Sequence, residues 1–238
     1  MRILDRARWL PTLLLLAGLV LLGRWADVTV AAQRYQAEAE RILEQLRARA
    51  HADHGAGRSG RTRDQALAKG IVGRLTIPRL GLRAMVGEGL SPRVLDRAIG
   101  HVPGSPFPGE PGNIGLAGHR DTYFRKLAGV RAHDLIRITT PDGEFSYRVV
   151  NTAIVGSHAG RLLRDQRFSG LTLVTCYPFN YLGSAPSRFI VRAEPASSDA
   201  GRAATSSRAI AELEPAARAR EAARWPTSRS APLLRHIL

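Results

Sequence analysis

Cys176, the chain's only cysteine, closes the apolar run Thr172-Leu173-Val174-Thr175-Cys176 and is followed at once by Tyr177-Pro178-Phe179. Strand ends open onto clefts, and Pro178 takes the chain out of any sheet, whereas a structural thiol would more naturally sit in mid-strand among aliphatic neighbours. Gly118-His119-Arg120-Asp121 follows a second apolar run, Asn113 to Ala117, and a third begins at Arg188 within Pro186-Ser187-Arg188-Phe189-Ile190-Val191. The three residue types suit one another. A thiolate is a nucleophile, an imidazolium can protonate a leaving amine, and a guanidinium can stabilise negative charge developing on a carbonyl oxygen. The residue types alone leave open whether the three converge. Arg192 competes with Arg188, because side chains four apart on a strand face the same side.

Other titratable residues carry weaker signals. His101, in Gly100-His101-Val102-Pro103, either lines the cleft or serves the structure, and the structural role is favoured; His133 and His158 read as loop residues. Asp121 could orient His119 or cap the following turn. His51 and His54 stand three apart in a Gly/Arg/Ser stretch, a poor metal site. One sulfur can form no internal disulfide and cannot close a cysteine zinc site. No acidic cluster has ligand spacing, so neither a metal nor another cofactor is expected.

Short apolar runs punctuated by Gly and Pro must position these groups. Ile71 to Ile77, Leu82 to Val86, Asn113 to Ala117, Leu135 to Thr139, Phe145 to Val155, Leu171 to Cys176 and Phe189 to Ala193 read as strands. Pro141-Asp142-Gly143 makes a turn, so Leu135 to Val150 should form a β-hairpin. Ser91 to Ile99 reads as a short helix with Ser91 as N-cap and Pro92 at its first position. Seven or eight strands with few helices between them predict an all-β domain over residues 70–195, a closed antiparallel-rich barrel. Aromatic residues are only 6% of the chain, so its core must be mostly aliphatic.

Ahead of the barrel, Arg2, Arg6 and Arg8 precede an apolar run from Trp9 to Gly23, flanked by Arg24 and Trp25. Counted to Ala26 with Arg24 snorkelling, the run approaches the roughly 20 residues that span a bilayer. An uncleaved signal-anchor over residues 1–26 is favoured over a cleaved signal peptide with Val30-Ala31-Ala32 as its processing site. Either way the basic flank stays cytoplasmic and the domain is exported. Residues 27–69 then read as a helical stalk, with Glu38 and Arg41 spaced as an i,i+3 pair, and a flexible tether from His51 to Gln65. Residues 196–238, rich in Ala, Ser and Arg, read as a tail that is disordered or loosely docked, with a helix from about Ala209 to Arg224 that has only a narrow apolar face. The net charge of +15 is spread along all these segments. A nucleic-acid reader would concentrate it in a stripe or a known module, so no nucleic-acid partner is expected.

In order and wording, the stretch from Ile71 to Glu194 resembles the sortases, membrane-anchored cysteine transpeptidases of bacterial surfaces. The family's T-L-x-T-C motif is matched by Thr172 to Cys176, its His by His119 within Gly-His-Arg, and its Arg, a dozen residues after the Cys, by Arg188. The approach HVPGSPFPGEPGNIGLAGHRD and the Tyr-Pro-Phe after the Cys look most like class D or the related small housekeeping-type classes. The resemblance implies that Cys176, His119 and Arg188 are catalytic and that Thr175 helps bind substrate or build the oxyanion hole. It further implies substrates with a C-terminal LPxTG-like sorting signal, an amine acceptor (a peptidoglycan precursor or a pilin lysine), and a single-pass protein of the cytoplasmic membrane facing outward. Two readings compete. Papain-like cell-wall peptidases place Cys before His, the reverse of the order here, and the Ser-x-Gly-Cys signature of L,D-transpeptidases is absent. The other is a non-catalytic adhesion or assembly barrel that buries Cys176 as an inert thiol.

Overall fold

The computed structural model describes residues 9–52, 59–156, 168–181 and 183–196. Eight strands close a barrel: β1 (Ile71–Ile77), β2 (Leu82–Glu88), β3 (Ile99–His101), β4 (Asn113–Ala117), β5 (Leu135–Thr140), β6 (Gly143–Gly156), β7 (Gly170–Tyr177) and β8 (Ser187–Pro195). Their order around it is β1-β2-β3-β4-β7-β8-β6-β5, and an antiparallel β1–β5 pairing completes the closure. The β2–β3 and β4–β7 pairs are parallel, and the other neighbours are antiparallel. The predicted β5–β6 hairpin forms, with Thr140 opposite Gly143.

Period-two alternation explains which side chains fill the barrel. Ile136 and Ile138 point inward on β5 while Arg137 between them is exposed. Leu75, Ile77, Val86, Ile114, Leu116, Leu171, Leu173 and Val191 join them in an aliphatic core, as the low aromatic content requires. Phe124 and Leu127, from the 3-10 helix Tyr123–Gly129, complete it.

Two expectations change. The helix read over Ser91 to Ile99 shrinks to α3 (Pro92–Leu95; α1 and α2 follow below), and Ile99 instead opens β3. The apolar pair Ala98-Ile99 suits either element. Here the barrel claims it: Ile99 is fully buried opposite Val86, and a Cβ on Gly100 would lie 2.5 Å from the Gly89 carbonyl oxygen. The second change concerns the tether, where Ser59–Ala68 forms a helix, α2. Its Gly/Ser/Arg composition favours coil, but Ala66 is buried against the barrel wall and Arg63 pairs with Glu110, and such tertiary contacts override weak propensity. The predicted tail lies outside the described residues.

The N-terminal apolar run and the stalk form one continuous helix, α1 (Leu10–Ala52). From Leu13 to Leu22 its large apolar side chains are exposed, whereas Ala39, Leu43 and Leu46 are buried against Ala66, Ile71 and Met85. Polar contacts register the helix on the barrel. Gln36 accepts from the Met85 amide at 2.9 Å, and Arg83 meets Glu40 at 2.9 Å. Arg74 pairs with Glu40 and, at 3.0 Å, with Glu44. Glu38 and Arg41 lie 3.9 Å apart as the spacing predicts. Leu43 has no solvent exposure, so Leu43→Ala should cost about 2–5 kcal/mol. The expected result is a lower denaturant midpoint with little change in slope.

Candidate active site

The site is built on three neighbouring strands, β4, β7 and β8. Cys176 on β7 lies directly opposite Arg188 on β8, so both side chains leave the same face of the sheet. On the other flank, β4 runs parallel to β7 with Ala117 beside Val174. His119 and Cys176 each lie two residues beyond that rung, and the Gly118 amide still bonds the Val174 carbonyl at 3.2 Å. By this count His119, just past the end of β4, stands at the same end of three adjacent strands as Cys176 and Arg188, a row in register terms.

Local sequence explains how the row is held. A Cβ on Gly118 would sit 2.9 Å from the Phe124 ring, so only glycine lets the chain pass over the core plug just before His119. The Gly118 carbonyl accepts the Thr175 hydroxyl at 2.7 Å. Thr175 is fully buried and alternates to the face opposite Cys176. Its side chain therefore ties the His119 strand to the Cys176 strand. Arg188 is 3% exposed, and its Nη1 donates to the carbonyls of Ala185 and Ser187 at 3.0 and 3.1 Å.

Two contacts of this neighbourhood carried no signal in the sequence. His119 Nε2 lies 3.9 Å from Asp96 Oδ1, at the C-terminal end of α3, so Asp96 and not Asp121 is the carboxylate that faces the imidazole. Arg120 spans the mouth of the β7–β8 connection, donating to the carbonyls of Pro178 (3.3 Å), Tyr181 (2.7 Å) and Gly183 (2.8 Å). No local pattern could have found either contact, since each joins segments far apart in sequence.

The remaining candidates fall elsewhere. Arg192 pairs with Thr172, four rungs from Cys176, and its guanidinium lies 4.9 Å from the Phe168 ring centre. His101 is 1% exposed, with Nδ1 2.7 Å from Glu88, Nε2 3.1 Å from the Pro106 carbonyl, and its ring stacked on Phe107. It is a structural histidine of the barrel interior. His133 occupies a left-handed turn before β5, His51 lies in the last turn of α1, and His54 and His158 lie outside the described residues.

Burial raises the Cys176 thiol pKa above its ordinary value; Arg188 and then Arg120 pull it back down, and Asp121 pushes it up. The thiol is therefore mostly protonated at neutral pH, and its reactivity should rise with pH through a range above that of a free cysteine. Alkylation by iodoacetamide, followed by mass, checks this. Arg120→Gln should shift the profile further up in pH and Asp121→Asn should shift it down.

A family model of the sortase domain matches residues 75–196. Sortase D of Bacillus subtilis (strain 168) is 31% identical over 191 residues, covering 76% of this chain and 95% of that protein. Sortase SrtE1 of Streptomyces coelicolor is 32% identical over 123 residues, of which this chain spans 35% of the relative's length. Among solved structures, a Sortase D5 transpeptidase from Clostridium perfringens superposes with a TM-score of 0.54 at 23% identity, covering 66% of this chain and 98% of that one, a likeness of fold. A barrel closed in this order, a family model over residues 75–196 and a relative matched almost end to end agree: the chain belongs to the sortase family and is a transpeptidase.

Proposed function

We propose that the protein, held in the cytoplasmic membrane by residues 10–26 with its barrel outside, cleaves an LPxTG-like sorting signal and joins the upstream acyl group to an amine. The pairing of Cys176 with Arg188 across β7 and β8, with the exit of β4 alongside, carries this reading. Cys176 Sγ, losing its proton to His119, attacks the carbonyl carbon of the Thr–Gly or Thr–Ala bond. Arg188 stabilises the oxyanion that forms. As that intermediate collapses the C–N bond breaks, His119 returns the proton to the departing amine, and a thioester on Cys176 remains. The acceptor amine then attacks the thioester carbonyl, gives its proton to His119, and Cys176 leaves as thiolate. The acceptor is a peptidoglycan precursor or a pilin lysine. A panel of LPxTG-like peptides, each incubated with and without amine acceptors, tests this by mass. Cleavage with transfer of the acyl group to the amine is the expected result. Complete inertness toward every member would sink the substrate assignment while leaving the family membership intact.

A further inference from the structure

The point at which α1 leaves the barrel belongs to the neighbourhood of the catalytic row. Travelling toward the N-terminus, the last docked residues are Gln36 and Tyr35. Gln36 donates to the Arg97 carbonyl at 2.6 Å, and the Arg97 guanidinium lies 5.1 Å from the Tyr35 ring centre. The same carbonyl accepts the Tyr123 hydroxyl at 2.8 Å, so the 3-10 helix that follows His119 is gathered into the junction. Arg97 directly follows Asp96, which faces His119. The part of the barrel nearest the membrane segment is therefore the α3–β3 connection beside the cleft.

Helix geometry sets the distance. Tyr35 is nine residues beyond Ala26 in an uninterrupted helix, roughly 14 Å along its axis at 1.5 Å per residue. A headgroup layer takes up about 5–8 Å of that. Arg34 on α1, Arg93 on α3 and Arg125 on the 3-10 helix are exposed around the junction, and among the described residues none of the three makes an ion pair. The nearby carboxylates are Glu38, one turn from Arg34 on α1 and 3.9 Å from Arg41, Asp27 two turns before Arg34, Asp121, and Asp96, which is turned to His119. We propose that Arg34, Arg93 and Arg125 seat the barrel on the anionic phospholipid headgroups of the membrane that α1 enters, so that the His119 side of the cleft opens at the bilayer surface. The inference rests on the reading of residues 10–26 as a membrane segment.

The test uses the full chain in a Cys176→Ala background, with a fluorophore on Ser91→Cys beside the patch or on Glu144→Cys, which the register Arg74–Thr139–Glu144 places two strands past the Glu44 contact of the docked helix. Vesicles of phosphatidylcholine with phosphatidylglycerol, carrying a headgroup-linked nitroxide quencher, receive each labelled protein. Carbonate extraction first reports insertion, and a chain released by carbonate would refute the membrane reading itself. For an inserted chain, strong quenching at Ser91→Cys and little at Glu144→Cys is expected; equal quenching, or none at Ser91→Cys, overturns the proposed seating. Each basic residue at an anionic surface is worth about 1 kcal/mol, or roughly fivefold. Converting Arg34, Arg93 and Arg125 to Glu should therefore lower the seated population on the order of a hundredfold and abolish the contrast between the two labels. With Cys176 intact, the same three changes should leave peptide cleavage in detergent unaltered, and persistence of the contrast would also overturn the proposal.

Discussion

Cys176→Ala is expected to fold normally and to show neither acyl-enzyme nor turnover, a loss on the order of 10⁴–10⁶-fold, as when the nucleophile of a covalent mechanism is removed. The chain contains one cysteine, so no second thiol can substitute. The change removes only a sulfur from a side chain at the end of β7 and leaves the barrel core of Leu171, Leu173 and Val191 untouched. Circular dichroism and the denaturant midpoint should therefore stay close to those of the parent protein, which separates a chemical loss from a folding one. Intact mass after incubation with a cleavable peptide reads the intermediate directly: the parent gains the acyl mass and the variant gains nothing. Residual cleavage or ligation by the variant, above a mock purification, would remove Cys176 as nucleophile. The raised thiol pKa adds a condition on how the parent works. Burial disfavours the thiolate, so in the proposed mechanism attack is coupled to proton removal, with His119 as the proposed base.

What could be read from the sequence divides along a physical line. Strands whose apolar alternation is long and bounded by Gly or Pro, such as Ile71–Ile77 and Asn113–Ala117, were legible to the residue. The three-residue β3 was not, because its run merges with the end of α3 and only the partners β2 and β4 make it a strand. The Ser59–Ala68 helix escaped for a related reason: its composition describes the isolated segment, and its stability comes from Ala66 and Arg63 meeting the body of the protein. Residues whose place depends on strand ends, Cys176, His119 and Arg188, could be nominated because turn residues mark those ends. Asp96 and Arg120 act across 23 and about 60 positions of chain respectively, through contacts no local pattern encodes. Thr175 shows the converse case: its motif position was legible, but its bond to the Gly118 carbonyl was not.

Alternation left Arg188 and Arg192 equivalent, and the register separates them. Arg188 is the cross-strand partner of Cys176, whereas Arg192 faces Thr172, four residues along, or about 13 Å at the rise of a strand. Arg188→Lys is therefore expected to keep the charge and still lose about 100-fold in kcat/KM, the scale of about 3 kcal/mol for one lost oxyanion donor. An ammonium cannot reproduce the planar fork: with Nη1 held by the carbonyls of Ala185 and Ser187, the guanidinium's orientation is fixed in a way three rotating donors on a flexible stem cannot match. Part of the loss should appear in KM, since the same group meets the scissile carbonyl before charge develops on it. Arg192→Lys should leave kcat/KM near the parent value and cost at most about 1 kcal/mol of stability through its weakened contact with Phe168. Steady-state kinetics of the two variants on one peptide decide the matter. A crippled Arg192 variant beside an unaffected Arg188 variant would move the oxyanion contact four residues down β8 and break the row of three on which the mechanism stands.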